Sequence, residues 1–161
     1  MPLFGLQRGI LMSPSEFSLA VKSTIDKLIY ELASSNNYDF FDLDGSYLLP
    51  EQAESTKPAI AWGLLNFSER DRDPYYAINF EVGAKTANDE SQYTSMNLLG
   101  LIQGAFPVNK NIYVSDYSKE SGPSIVAGCM TITSSVSTPP SFDKVSGTRA
   151  VQLIAAVQRF I

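Results

Sequence analysis

Pro58 to Phe67 reads PAIAWGLLNF and Tyr75 to Lys85 reads YYAINFEVGAK, and these two runs decide the fold. Both are dense in aromatic and aliphatic residues, the side chains that suit a pleated, half-buried surface. Between them, Ser68-Glu69-Arg70-Asp71-Arg72-Asp73-Pro74 is a polar connector of hairpin length. The unit predicted is an antiparallel hairpin with a charged tip. The tip (Glu69, Arg70, Asp71, Arg72 and Asp73) is also the candidate contact surface of the chain. Arginines are favoured at interfaces and alternating signs fix register. A solvated loop is the plain alternative.

A helix precedes the hairpin. Ser13-Pro14-Ser15-Glu16 is a capping box, with Ser13 as the cap, proline in the first turn and Glu16 placed to reach back. Phe17, Ala20, Val21, Ile25, Leu28, Ile29 and Leu32 recur at three- and four-residue spacing, which gives one apolar stripe. Ser34-Ser35-Asn36-Asn37 ends it. Residues 38–57 read as a short extended piece and an exposed loop. A second helix follows the hairpin, capped by Asn88 or Asp89, with a face of Tyr93, Met96, Leu99, Ile102 and Phe106 and a stop at Pro107. Gly100 and Gly104 on it predict close packing against a strand or a neighbouring subunit.

Asn111 to Tyr117 and Ser124 to Val136 (SIVAGCMTITSSV) are the next extended segments. Ser137 to Thr148 reads as a linker. In Arg149 to Ile161, Val151, Leu153, Ala155 and Val157 alternate as in a strand, while Val151, Ile154, Ala155 and Gln158 suit a helix. The strand reading is preferred. The fold class predicted is α+β: a mainly antiparallel sheet packed by two helices on one face, in the order α-β-β-α-β-β. Residues 1–12 form an N-terminal arm, residues 13–136 a single domain, and residues 137–161 a C-terminal extension, strand or helix, that can dock on a neighbouring subunit.

Composition narrows the chemistry. The chain has 161 residues, 12 Lys+Arg, 17 Asp+Glu, no His, one Cys and a formal net charge of -5. Without histidine there is no Ser-His-Asp or Cys-His mechanism, and one cysteine allows no internal disulfide. The acidic balance argues against gripping nucleic acid through a basic face. The opening MPLFGLQRGILM holds one basic residue, Arg8, inside its apolar run and makes a poor secretory signal. No apolar run approaches the roughly 20 residues a membrane span needs, so the expectation is a soluble protein of the cytoplasm.

Local motifs add little catalysis. Phe40 to Glu51 (FFDLDGSYLLPE) places Asp42, Asp44, Gly45 and Glu51 as a calcium loop would. Its first ligand is Phe40, however, and Pro50 interrupts it, so an acidic surface turn is expected. Asp42 and Asp44 also make an Asp-x-Asp pair, a pattern too short to specify a metal-dependent transferase. Ser141-Phe142-Asp143-Lys144 matches S-x-x-K, but it follows Pro139-Pro140 and lacks the companion motifs of acyl enzymes. Cys129 reads as a buried, inert thiol and Trp62 as core or interface. No catalytic residue, metal or cofactor is expected.

The capped helix, the hairpin PAIAWGLLNF…YYAINFEVGAK, the helix around QYTSMNLLGLI and the pair NIYVSD…SIVAGCMTITSSV together resemble the tail terminator (tail completion) proteins of long-tailed bacteriophages. The resemblance spans Ser13 to Val136. It implies a non-enzymatic virion protein, made in the host cytoplasm, that forms a hexameric ring at the head-proximal end of the tail. Such a ring ends polymerisation of the tail tube and offers the joining surface for the neck. Its partners would be other copies of itself, the tail tube protein (with the sheath protein in a sheathed tail) and the neck or head-completion protein. DNA would cross an acidic lumen without specific binding. Another neck or tail component, such as a head-completion or tube-like subunit, is the first alternative. A small ligand-binding module of a cellular protein is the second.

Overall fold

A computed structural model describes residues 13–42, 59–69, 75–86, 91–117, 126–137, 141–142 and 147–160. They form a mixed α+β fold with two helices, an antiparallel sheet and one short parallel pair.

Helix α1 spans Pro14–Ser35. The Ser13 hydroxyl accepts from the Glu16 amide at 3.2 Å, so the cap read from the sequence is made. At the other end Asn37 adopts φ 57, and the Tyr38 amide donates to the Ala33 carbonyl at 2.9 Å. Asparagine tolerates this left-handed conformation, which stops the helix and satisfies a terminal carbonyl. Phe17, Ala20, Val21, Ile25, Ile29 and Ala33 are buried, with Leu28 and Leu32 packed beside them. This is the predicted stripe.

The strands are β1 (Asp39–Asp42), β2 (Ala59–Glu69), β3 (Tyr75–Thr86), β4 (Asn111–Val114), β5 (Gly128–Ser137), β6 (Ser141–Phe142) and β7 (Gly147–Arg159). Their order in the sheet is β1-β2-β3-β7-β5-β4, with β6 paired to β7. β1 runs parallel to β2, with Asp42 opposite Trp62. The β2–β3 hairpin is antiparallel, as predicted, with a register shift between Leu64 and Asn66.

The C-terminal segment has a different place from the one expected of an extension. β7 lies between β3 and β5, and Leu153 is opposite both Phe80 and Ser135. Val151, Leu153, Ala155 and Val157 are buried while Ile154 and Gln158 are exposed, the period-two pattern of a strand with one face inward. Ser141 and Phe142, read as linker, pair with the start of β7.

Helix α2 spans Ser91–Ala105, and Asn88 and Asp89 lie outside the described residues. It buries Leu98 and Ile102, with Phe106 just beyond its end. Met96, assigned to the inner face, is exposed, so the buried stripe is rotated from the one predicted. Both helices and alternate strand positions share one core cluster. A Cβ built at Gly100 or Gly104 meets nothing within 4 Å, which corrects the half of the expectation that packed them against a strand of the same chain. Within the subunit both residues therefore bring the conformational cost of glycine without a contact in return. Gly100→Ala and Gly104→Ala are each expected to stabilise the fold by about 0.5–1 kcal/mol. Chemical denaturation checks this, and a loss of stability would contradict it.

Candidate functional site

α1 carries a second stripe beside its apolar one. Leu19, Lys22, Ser23, Asp26, Lys27 and Tyr30 follow three- and four-residue spacing and line an open cleft of about 570 Å³. Phe40 and Asp42 of β1 close one side, and Tyr117, just past β4, lies on the other. α1 touches β1, β2 and β4, so the cleft sits where the two ends of the sheet meet the same helix.

Polar pins hold this arrangement. Thr24 and Ser23 are buried on α1. The Ser115 amide donates to Thr24 Oγ1 at 3.1 Å, and the Tyr117 amide donates to Ser23 Oγ at 3.0 Å. The two hydroxyls take the role a neighbouring strand would play for the backbone leaving β4. Tyr117 is thereby fixed beside Lys27, whose ammonium lies 4.5 Å from the ring centroid. Opposite, Tyr30 and Phe40 meet edge to face at 6.0 Å.

The floor of the cleft is charged. Lys22 Nζ bonds Asp26 at 3.0 Å and also the carboxylate of Asp42. Trp62 Nε1 donates to the other oxygen of Asp26 at 2.7 Å, and the Lys22 ammonium lies 5.4 Å from the Trp62 ring centroid. Burial works against the charged form of Lys22, but the bonds to Asp42 and Asp26 outweigh it and raise its pKa. Burial also raises the Asp26 pKa, and the bonds from Lys22 and Trp62 offset this only in part.

A raised carboxyl pKa means that the folded state holds the proton more tightly than the unfolded chain. The contribution of Asp26 to stability is therefore full below the unfolded value, near pH 4, and is lost as pH rises through the folded value. Asp26→Asn keeps an acceptor for Trp62 without that loss. The melting temperature of the variant minus that of the parent is expected to grow as pH rises from about 3.5 to 6.5. A difference that shrinks over this range would show that the ionised carboxylate is the better fit. For Lys22 the sign places its contribution at all pH values below the unfolded value, with loss only in strong alkali.

Of the residues singled out from the sequence, Phe40 and Asp42 line this cleft and Trp62 bonds its Asp26. Glu69 ends β2 opposite Tyr76, while Arg70, Asp71, Arg72 and Asp73 lie outside the described residues. Of the calcium-like loop, Phe40 and Asp42 are in β1, where Asp42 is held by Lys22, and residues 43–51 lie outside. Ser141 pairs with Thr148 in the sheet, and Asp143 and Lys144 lie outside. Cys129 is a free thiol only half buried, between inward-facing Gly128 and Met130, which corrects the buried reading. Trp62 is fully buried core. The α1 lining of the cleft is what the sequence reading missed, although the spacing of Leu19, Lys22, Asp26 and Tyr30 is open to view.

No helix among the described residues is long and apolar enough to cross a membrane. No protein-family model and no curated protein matches the chain. A solved structure of a protein without a functional designation is similar over 94% of this chain and 99% of its own, with a TM-score of 0.65 and 11% identity. At that identity the likeness is one of fold alone.

Proposed function

We propose that this chain is a structural subunit of a bacteriophage tail, one of six in a ring at the head-proximal end of the tube. The ring ends tube polymerisation and presents the joining surface for the neck. The observation that carries this reading is the pair of short edges of the sheet. β1 and β4 are four residues each, stand at the two ends of the strand order and pair on one side only among the described residues. Edge strands recruit further strands, and a ring of identical copies needs two different surfaces per subunit that meet head to tail. Tyr113 on β4 is 65% exposed, an aromatic side chain placed for such a contact. The helices lie on one face of the sheet in this reading, leaving the other to neighbours. Deleting the gene from its phage and imaging the lysate tests the role. Tails of irregular length, unjoined to heads, are expected, and tails of normal length on heads would contradict it.

The cleft favours one second reading, a small ligand-binding module, because its volume lies in the range of small-molecule sites. Thermal shift against metals and metabolites separates the two: a strong, selective stabilisation by one small molecule supports the module.

A further inference from the structure

We infer that the outer face of the sheet across β4, β5 and β7 packs against a neighbouring copy of this chain; the inference rests on the ring reading above. Alternation defines the face. Odd positions 151–157 of β7 are buried with the helices in one core cluster, so even positions 152–158 look away from it. Pairing extends this surface. Gln158 is opposite Cys129, and Cys129 is opposite Tyr113. Beyond the register shift, Ser134 and Val136 are opposite Ile154 and Gln152. On β3 the register sets Ala77 and Asn79 opposite Ala156 and Ile154.

No Asp, Glu, Lys or Arg stands at any of these positions, although 18% of the chain is charged. Glu81 of β3, opposite Gln152, marks the border. The exposed side of α1, by contrast, carries Glu16, Lys27 and Glu31. Large apolar groups stand open on the face: Val136 is 56% and Ile154 36% exposed, and Tyr113 is more exposed still. Its hydroxyls are bonded within the sheet. Thr131 Oγ1 donates to Asn111 Oδ1 at 2.7 Å, and Thr133 Oγ1 donates to the Ile154 carbonyl at 3.1 Å. Drying such a surface costs little, because no charge is stripped and these hydroxyls keep their acceptors. Depletion of charge around aromatic and branched apolar groups is the composition of an interface core.

A second copy is the partner this surface fits. Each copy has a net charge of -5, so copies that met through charged faces would repel, and a face without charge brings them together at least cost. A strongly basic or acidic partner would call for opposite charges that the face lacks. Across β3, β7, β5 and β4, at about 4.8 Å per strand, and along positions 152–160, at ~3.3 Å per residue, the surface measures on the order of 500 Å². A stable interface takes about 800 Å² from each partner. The adjoining β4 edge supplies the remainder, so edge and face form one continuous contact. β7 is flanked by β3 and β5, and no neighbour's strand can pair with it, so contact there is through side chains alone.

Cys129, the one cysteine of the chain and half buried on this face, is a native reporter. N-ethylmaleimide in excess is added to the full-length protein at concentrations where native mass shows the hexamer and where it shows the dissociated chain. The labelling rate constant is expected to be at least about tenfold lower in the hexamer, because access governs thiol reactivity. Ile154→Glu, on an inner strand beyond the reach of edge pairing, is expected to raise the concentration needed for assembly by at least about tenfold. Ile154→Thr, uncharged and suited to a strand, is expected to raise it by less than about threefold. Equal labelling rates in hexamer and dissociated chain would overturn the inference and leave the ring. So would assembly at the parental concentration by an Ile154→Glu chain whose circular dichroism shows it folded. A parent chain that stays monomeric at every concentration removes both.

Discussion

Trp62→Ala is expected to lower the stability of the folded chain by about 3–5 kcal/mol, the range found when a large aromatic side chain is removed from a packed core. Trp62 is fully buried on β2 and opposite Val82 of β3. It also joins the core to the cleft, because its Nε1–H is a donor to Asp26 and its ring lies beside the Lys22 ammonium. Removing it opens a cavity and strips a half-buried carboxylate of one donor. Domains of this size are stable by only about 5–15 kcal/mol, so the variant sits near the edge of folding. Trp62→Phe keeps most of the apolar volume and loses the donor, so its cost is set at about half or less. Urea denaturation of the three chains decides it. A loss below about 1 kcal/mol for the alanine variant would mean that Trp62 is not packed as described.

Gly128→Ala is the second large effect, and its sign is opposite to that of the two helix glycines. A Cβ at Gly128 would lie 2.4 Å from the Gln158 carbonyl oxygen and 3.0 Å from Phe17 Cε2. The ring can give way, but the carbonyl belongs to β7, which pairs with β5 through Cys129 opposite Gln158. The sheet must part at that point or shift as a unit. Overpacking of this kind costs about 1–3 kcal/mol, and the backbone clash puts Gly128→Ala at the upper end. Measured against Phe17→Leu alone, which itself costs core packing, Gly128→Ala is expected to keep more than half of its cost, since the carbonyl contact stays. Disappearance of that cost would place the clash on the ring instead. On one chain, then, alanine for glycine should stabilise at positions 100 and 104 and destabilise at position 128.

The parts of this fold that sequence reveals are those with local causes. The Ser13 cap, the stripe from Phe17 to Leu32 and the stop across Ser34-Ser35-Asn36-Asn37 are each written within a few residues, and α1 forms as they predict. The β2–β3 hairpin is legible for the same reason. The last segment is not, because Val151, Leu153, Ala155 and Val157 satisfy a strand while Val151, Ile154, Ala155 and Gln158 satisfy a helix. What decides is pairing on both sides at once, with β3 and with β5, and those partners lie far away in the chain. Gly128 is illegible for a related reason: its need for a missing Cβ comes from Gln158 and Phe17, both remote. The cleft lies between these cases. Its α1 half follows helical spacing, but Phe40, Asp42 and Tyr117 reach it only through the sheet. Met96 shows the limit of periodicity, since a shift of a residue or two in the buried stripe of α2 turns it outward.

On the proposed role this chain closes into a ring instead of growing a tube or acting alone. Native mass spectrometry of the purified full-length protein across a wide concentration range decides between these. A single hexameric species that accumulates with concentration and goes no further is the predicted result. Open-ended polymers that lengthen as concentration rises would contradict it and mark the chain as a tube subunit.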